Sequence, residues 1–124
     1  MGQASSLYPE QFADHLEPEL RDALDDCIDV SQVVAWVSDR CIETGPEQAT
    51  CARLCNEVST LGAVAAEFVA RDAETLPVVL DAYLETAEIA LAELEAFDDP
   101  HTEEAAMVVE RSIDSVTAAL ERIE

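Results

Sequence analysis

Apolar residues recur at helical spacing through four long stretches of the chain, and prolines, a glycine and short acidic turns separate them. In the first stretch Leu20, Leu24, Cys27, Val34 and Cys41 form one stripe, which Ser31 and Ser38 fill. Ala23, Val30 and Val37 flank it on one side, and Ile28, Ala35 and Ile42 on the other. This spacing predicts a helix over about residues 18–43 with Pro18 at its first position. Cys51, Leu54, Val58, Leu61, Ala65 and Phe68, with Cys55, Gly62 and Val69 beside them, predict a second over about 46–72. The third, about 75–97, carries Leu76, Leu80, Tyr83, Ala87, Ala90, Leu94 and Phe97, with Thr75 as N-cap and Pro77 in the first turn. The fourth, about 100–123, carries Ala106, Val109, Ile113, Val116, Leu120 and Ile123, and Asp99 is placed to cap it.

Four such helices joined by short turns predict an all-α fold, an antiparallel up-down-up-down four-helix bundle. A short helical segment between Pro9 and Leu16 precedes it, after a polar lead. Nothing in the pattern marks a strand, a linker or a second domain, so residues 1–124 read as one domain.

Three of the four cysteines flank the Gly45-Pro46 break between the first two helices. Cys41 lies just before the turn and Cys51 just after it, so a helical hairpin brings both to one depth; Cys55 follows one turn on, on roughly the same face. The alternating topology also brings the turn between helices three and four, and with it His101, to this end of the bundle. Cys27 lies about 21 Å up the first helix, too far to share a mononuclear site. Buried thiols at such positions have two readings, a soft-metal site or small hydrophobes filling a helix interface.

Composition changes the picture mainly through charge. The chain has 124 residues, 49% of them hydrophobic, enough for one core. Twenty-eight acidic residues stand against six basic ones, all arginine, for a formal net charge of −22. Such self-repulsion destabilises a compact state in dilute salt and is screened in concentrated salt. Together with the absence of lysine and the small aliphatic core, it reads as a halophilic surface. An acidic docking face for a basic partner is the other reading. Nucleic-acid binding is excluded as a function class, because phosphates need a basic surface.

The longest apolar stretches, such as Leu61-Gly-Ala-Val-Ala-Ala66, are far short of a membrane span. The start, Met1-Gly-Gln-Ala-Ser-Ser6, lacks the charged and apolar regions of a signal peptide. Its match to an N-myristoylation pattern is read as chance in a composition of prokaryotic type. A cytoplasmic location with reduced thiols is therefore expected, which disfavours a Cys41–Cys51 disulfide. His15 is expected at the surface. Trp36 falls off the stripe centre of the first helix, at the bundle edge or in a subunit interface, and Met107 lies off the core stripe of the fourth, exposed or in a homo-oligomer contact.

Four segments carry a resemblance: Cys51-Ala-Arg-Leu-Cys55-Asn-Glu-Val, Ala65-Ala-Glu-Phe-Val-Ala-Arg-Asp72, Leu84-Glu-Thr-Ala-Glu88 and Asp99-Pro-His-Thr-Glu-Glu-Ala105. They resemble the cysteine-rich four-helix-bundle copper-binding proteins, the copper storage proteins among them, over roughly residues 18–122. The resemblance implies thiolates lining the bundle interior, often as Cys-x-x-x-Cys pairs, holding Cu(I) that enters at one end past His or Met. It maps Cys51 and Cys55 onto such a pair, Cys27 and Cys41 onto a core stripe, and His101 onto an end histidine. This chain departs from the pattern at Val58, Gly62, Ala65, Phe68, Ala87, Ala90 and Ser112, where a thiol ladder would continue. What is expected is one small site on Cys41, Cys51 and Cys55 with His101 assisting, taking Cu(I) with Zn(II) as competitor.

No catalytic motif supports an enzyme. Neither histidine has the Glu-x-x-His spacing of a di-iron bundle, and nucleophile elbows and phosphate loops are lacking. The alternative to metal binding is a metal-free interaction or oligomerisation module that uses its acidic faces with Trp36 or Met107. Redox sensing by the same thiols is a third reading, which the scarcity of basic neighbours beyond Arg53 disfavours.

Overall fold

Pro18, Pro46, Pro77 and Pro100 each stand in the first turn of a helical segment, where an absent N–H leaves no intrahelical bond unmade. The computed structural model describes residues 9–124, and every regular element among them is helical. In order these are α1 (Glu10–Asp14), α2 (Pro18–Asp29), a π-helical turn (Val30–Val34), α3 (Ala35–Thr44), a 3-10 turn (Pro46–Gln48), α4 (Ala49–Ala70), α5 (Leu76–Leu94) and α6 (Pro100–Ile123). The expectations for the polar lead, residues 1–8, lie outside the described residues.

The long elements pack in a ring: α2 and α3 against α4, α4 against α5, α5 against α6, and α6 back against α2. That arrangement is compatible with a four-helix bundle. At one end Arg122, near the close of α6, pairs with Glu17 at 3.0 Å and reaches Glu19 at 3.9 Å. No helix among the described residues is long and apolar enough to cross a membrane.

The first helix departs from the expected unbroken rod. The π turn at Val30–Val34 interrupts it, and Val30 is buried where Ser31 was expected to fill the stripe. Ser31 instead donates its hydroxyl to the Ile28 carbonyl at 2.7 Å. The start of this turn packs against α4 at Gly62. A Cβ on Gly62 would sit 3.1 Å from both the Cys27 carbonyl oxygen and Val30 Cγ1. A larger residue would force a neighbour to give by a few tenths of an ångström, so glycine suits this close approach.

The buried line of α4 is also rotated from the expected stripe. Cys51, Cys55, Val58, Gly62, Ala65 and Val69 face the core, while Leu54, Leu61 and Phe68 lie half-buried at its edge. Small residues at the centre allow close helix contact, and the larger ones seal the flanks. In α6, Val109, Val116 and Leu120 are buried as expected. Ala106, Ile113 and Ile123 move to the edge, and Thr102, Ala105, Ser112 and Ala119 take the centre. The α5 stripe is buried from Leu76 to Leu94, where the helix stops short of Phe97.

Asp72 closes α4 in a left-handed conformation at φ 48°. Its N–H bonds the Val69 carbonyl and the Ala73 N–H bonds the Phe68 carbonyl, the paired bonds of a Schellman ending without its usual glycine.

Candidate metal centre

The local sequence fixes how the thiols meet. Gly45 ends α3 at φ 143°, a region open to glycine and strained for other residues, and a side chain there would strike the Glu47 carboxylate. The 3-10 turn then leads directly into α4, so the last turn of α3 faces the first turns of α4. Ser38 pins the two helices together, donating its buried hydroxyl to the Ala52 carbonyl at 2.8 Å.

Cys41, Cys51 and Cys55 are fully buried, and their sulfurs lie within 4.8 Å of one another. Cys41 Sγ and Cys51 Sγ are 3.7 Å apart and share a thiol hydrogen bond, and all four cysteines are free. Burial, together with the neighbouring Cys51 thiol and the Asp99 carboxylate, pushes the Cys41 thiol up to about 12. A hydrogen bond with Cys55 is the main cause raising Cys51, burial adds to it, and Glu93 contributes. Protonated thiols are poor nucleophiles, and the Asp99 and Glu93 carboxylates oppose ionisation further.

The set nevertheless suits a soft ion. Metal–sulfur bonds of about 2.3 Å require sulfurs roughly 3.8–4.0 Å apart, a small adjustment from the observed cluster. Sulfur ligands favour Cu(I) and also bind Zn(II). Loading must displace thiol protons, so it couples to pH.

His101 comes to the neighbourhood of this end but not into the thiol group. Its Nε2 lies 2.9 Å from Gln48 Oε1, and the Gln48 amide nitrogen donates in turn to an Asp99 carboxylate oxygen. Gln48 is only 2% exposed. Asp99 occupies the N-cap position of α6, yet its side chain makes no capping bond, because it is engaged with Gln48. Its backbone carbonyl accepts instead from Glu103 N–H and the Thr102 hydroxyl.

Sequence reasoning missed Gln48. A polar residue after Pro46-Glu47 carries the signature of an exposed first turn, and nothing local shows that another turn covers it. Asp99 was legible as a helix cap and not as a partner of Gln48.

Cys27 stands apart from the three-thiol group, fully buried and raised to about 12 by burial, with Asp26 adding to the shift. Near it Tyr83 and Ser112 share a 2.6 Å hydroxyl bond, and Ser112 donates to the Val109 carbonyl. His15 is exposed, and its ring lies tilted against Phe12 with the centroids 5.3 Å apart. Trp36 and Met107 are half-exposed, with Arg40 6.0 Å over the indole.

No protein-family model matches this chain, and no curated protein matches it. What these residues define is a helical protein with a buried three-cysteine cluster able to hold a soft metal ion.

Proposed function

We propose that the chain is a cytoplasmic antiparallel up-down-up-down four-helix bundle that binds one or a few soft metal ions for copper buffering or handling. It is a cysteine-poor counterpart of the copper-binding bundles it resembles, with a surface suited to concentrated salt. Cu(I) is the favoured ion and Zn(II) its competitor; Cys41, Cys51 and Cys55 supply the ligands, with His101 at the same end. The observation that carries the reading is the gathering of three buried sulfurs within 4.8 Å. The helix order is supported by Gln48, which ties the α3–α4 turn to the α5–α6 turn through Asp99 and His101. The role requires no catalytic step.

An anaerobic Cu(I) titration of the reduced protein in high salt, against a competing chelator, tests it. Uptake of at least one equivalent, lost in Cys51→Ala/Cys55→Ala, is the expected result. Uptake no greater than the chelator permits would reduce the cysteines to packing residues.

A second reading has its own observation. Trp36, Val78, Ile89 and Met107 are each at least half exposed, which fits a metal-free module that contacts a partner or another copy. Intact behaviour of the thiol variants in an association assay, with no metal uptake by the parent, would favour it.

A further inference from the structure

The cluster has three sulfurs, and His101, bonded to Gln48 at the α3–α4 turn, stands outside it. We infer that Gln48 is a specificity-determining residue of the metal centre: it holds His101 away from the thiols and keeps the site three-coordinate. The inference rests on the soft-metal reading above and names what tunes it.

Hydrogen-bond polarity fixes which way the Gln48 amide faces. Asp99 contributes an acceptor-only carboxylate, so the Gln48 amide nitrogen must face it. The amide oxygen then faces His101 and requires a proton on Nε2. A ring nitrogen that carries this proton has no lone pair for a metal. A donated ring proton can also brace a histidine that binds metal through its other nitrogen. Here neither ring nitrogen of His101 belongs to the set of ligand atoms lying within 4.8 Å of one another. Gln48 is itself buried and bonded at both ends of its amide, so the tether is held by packing as well as by hydrogen bonds.

Coordination number then separates the metals. Structural Zn(II) sites are four-coordinate, and three thiolates alone leave one position to be filled. The sulfurs are covered, which disfavours a solvent ligand, and the tethered imidazole does not supply one. Cu(I) is satisfied by soft thiolate ligands without a nitrogen donor. Gln48 thereby tilts the site from Zn(II) toward Cu(I).

The test compares the reduced parent protein, Gln48→Ala and Gln48→Ala/His101→Ala, anaerobically in high salt. Gln48→Leu serves as a second variant that retains volume at the buried position, with circular dichroism checking the fold. Co(II), read through the visible absorption of tetrahedral sites, stands in for Zn(II), and Zn(II) and Cu(I) affinities are measured by chelator competition. Releasing His101 is expected to strengthen Zn(II) binding by roughly tenfold or more and to create a tetrahedral Co(II) spectrum. Both gains should vanish when His101 is also replaced, while Cu(I) affinity changes little. A parent protein that already gives a tetrahedral Co(II) spectrum would overturn the inference. So would folded Gln48→Leu protein with no gain in Zn(II) affinity. Failure of the parent to take up Cu(I) counts against the proposed function instead, so the two failures remain distinct.

Discussion

Cys41 and Cys51 face each other across the α3–α4 turn with their sulfurs 3.7 Å apart, and the proton between them sets the chemistry of the site. Without metal the proton is retained, because burial at Cys41 and the Cys55 hydrogen bond at Cys51 oppose thiolate formation, and the Asp99 and Glu93 carboxylates add to them. With metal it must leave. Apparent Cu(I) affinity should therefore rise by about one decade per pH unit for each thiol deprotonated. Competition titrations at pH 6 and pH 8, corrected for protonation of the chelator, should differ by at least roughly a hundredfold. A pH-independent affinity would contradict thiol ligation.

The same shifts govern stability at high pH. Cys27 and Cys41 have folded-state values near 12 against an ordinary 9.0. Between those values the folded chain binds more protons than the unfolded chain, so stability falls as pH rises. Below about pH 8 this contribution is fully present. Urea unfolding of the metal-free protein should show a constant midpoint there from these groups, then a decline between pH 9 and 12. The decline should be shallower in Cys27→Ala.

Cys27 gives a second contrast. It stands outside the three-thiol group, so Cys27→Ala should preserve metal stoichiometry and cost about 1 kcal/mol in packing. Tyr83→Phe, which removes the bond to Ser112, should also cost about 1 kcal/mol and leave metal uptake unchanged. Loss of an equivalent of Cu(I) in either variant would show that the group around Cys27 takes part in binding.

Gly62→Ala should destabilise the protein even though alanine favours helix by about 1 kcal/mol. The new methyl would meet the Cys27 carbonyl oxygen and Val30 Cγ1 at 3.1 Å, and the carbonyl belongs to helical backbone that gives little. Overpacking costs about 1–3 kcal/mol, so the net change should be a loss of about 1 kcal/mol. A raised unfolding midpoint would mean that α2 and the π turn yield more readily than their packing implies.

The net charge of −22 predicts that salt stabilises the fold. Raising KCl from 0.1 M to 2 M should raise the thermal midpoint by screening repulsion among the carboxylates. The pairs Arg40–Glu43, Arg71–Glu67 and Arg122–Glu17 are exposed and contribute little individually.

The sequence by itself determined the helical class, the four long segments and the pairing of Cys41 with Cys51 and Cys55. Helical periodicity, prolines in first turns and the Gly45 break are local signals, and a hairpin of known rise brings nearby residues together. Only the tertiary structure decided how each helix is rotated. The apolar faces of α4 and α6 are broad enough to pack in more than one orientation, and the close approach at Gly62 selects the small-residue line. It also decided the company of His101. Gln48 and Asp99 are 51 residues apart, and their contact exists only because two turns meet at one end of the fold. No spacing rule within one helix encodes that meeting, since it arises from packing the whole set of helices.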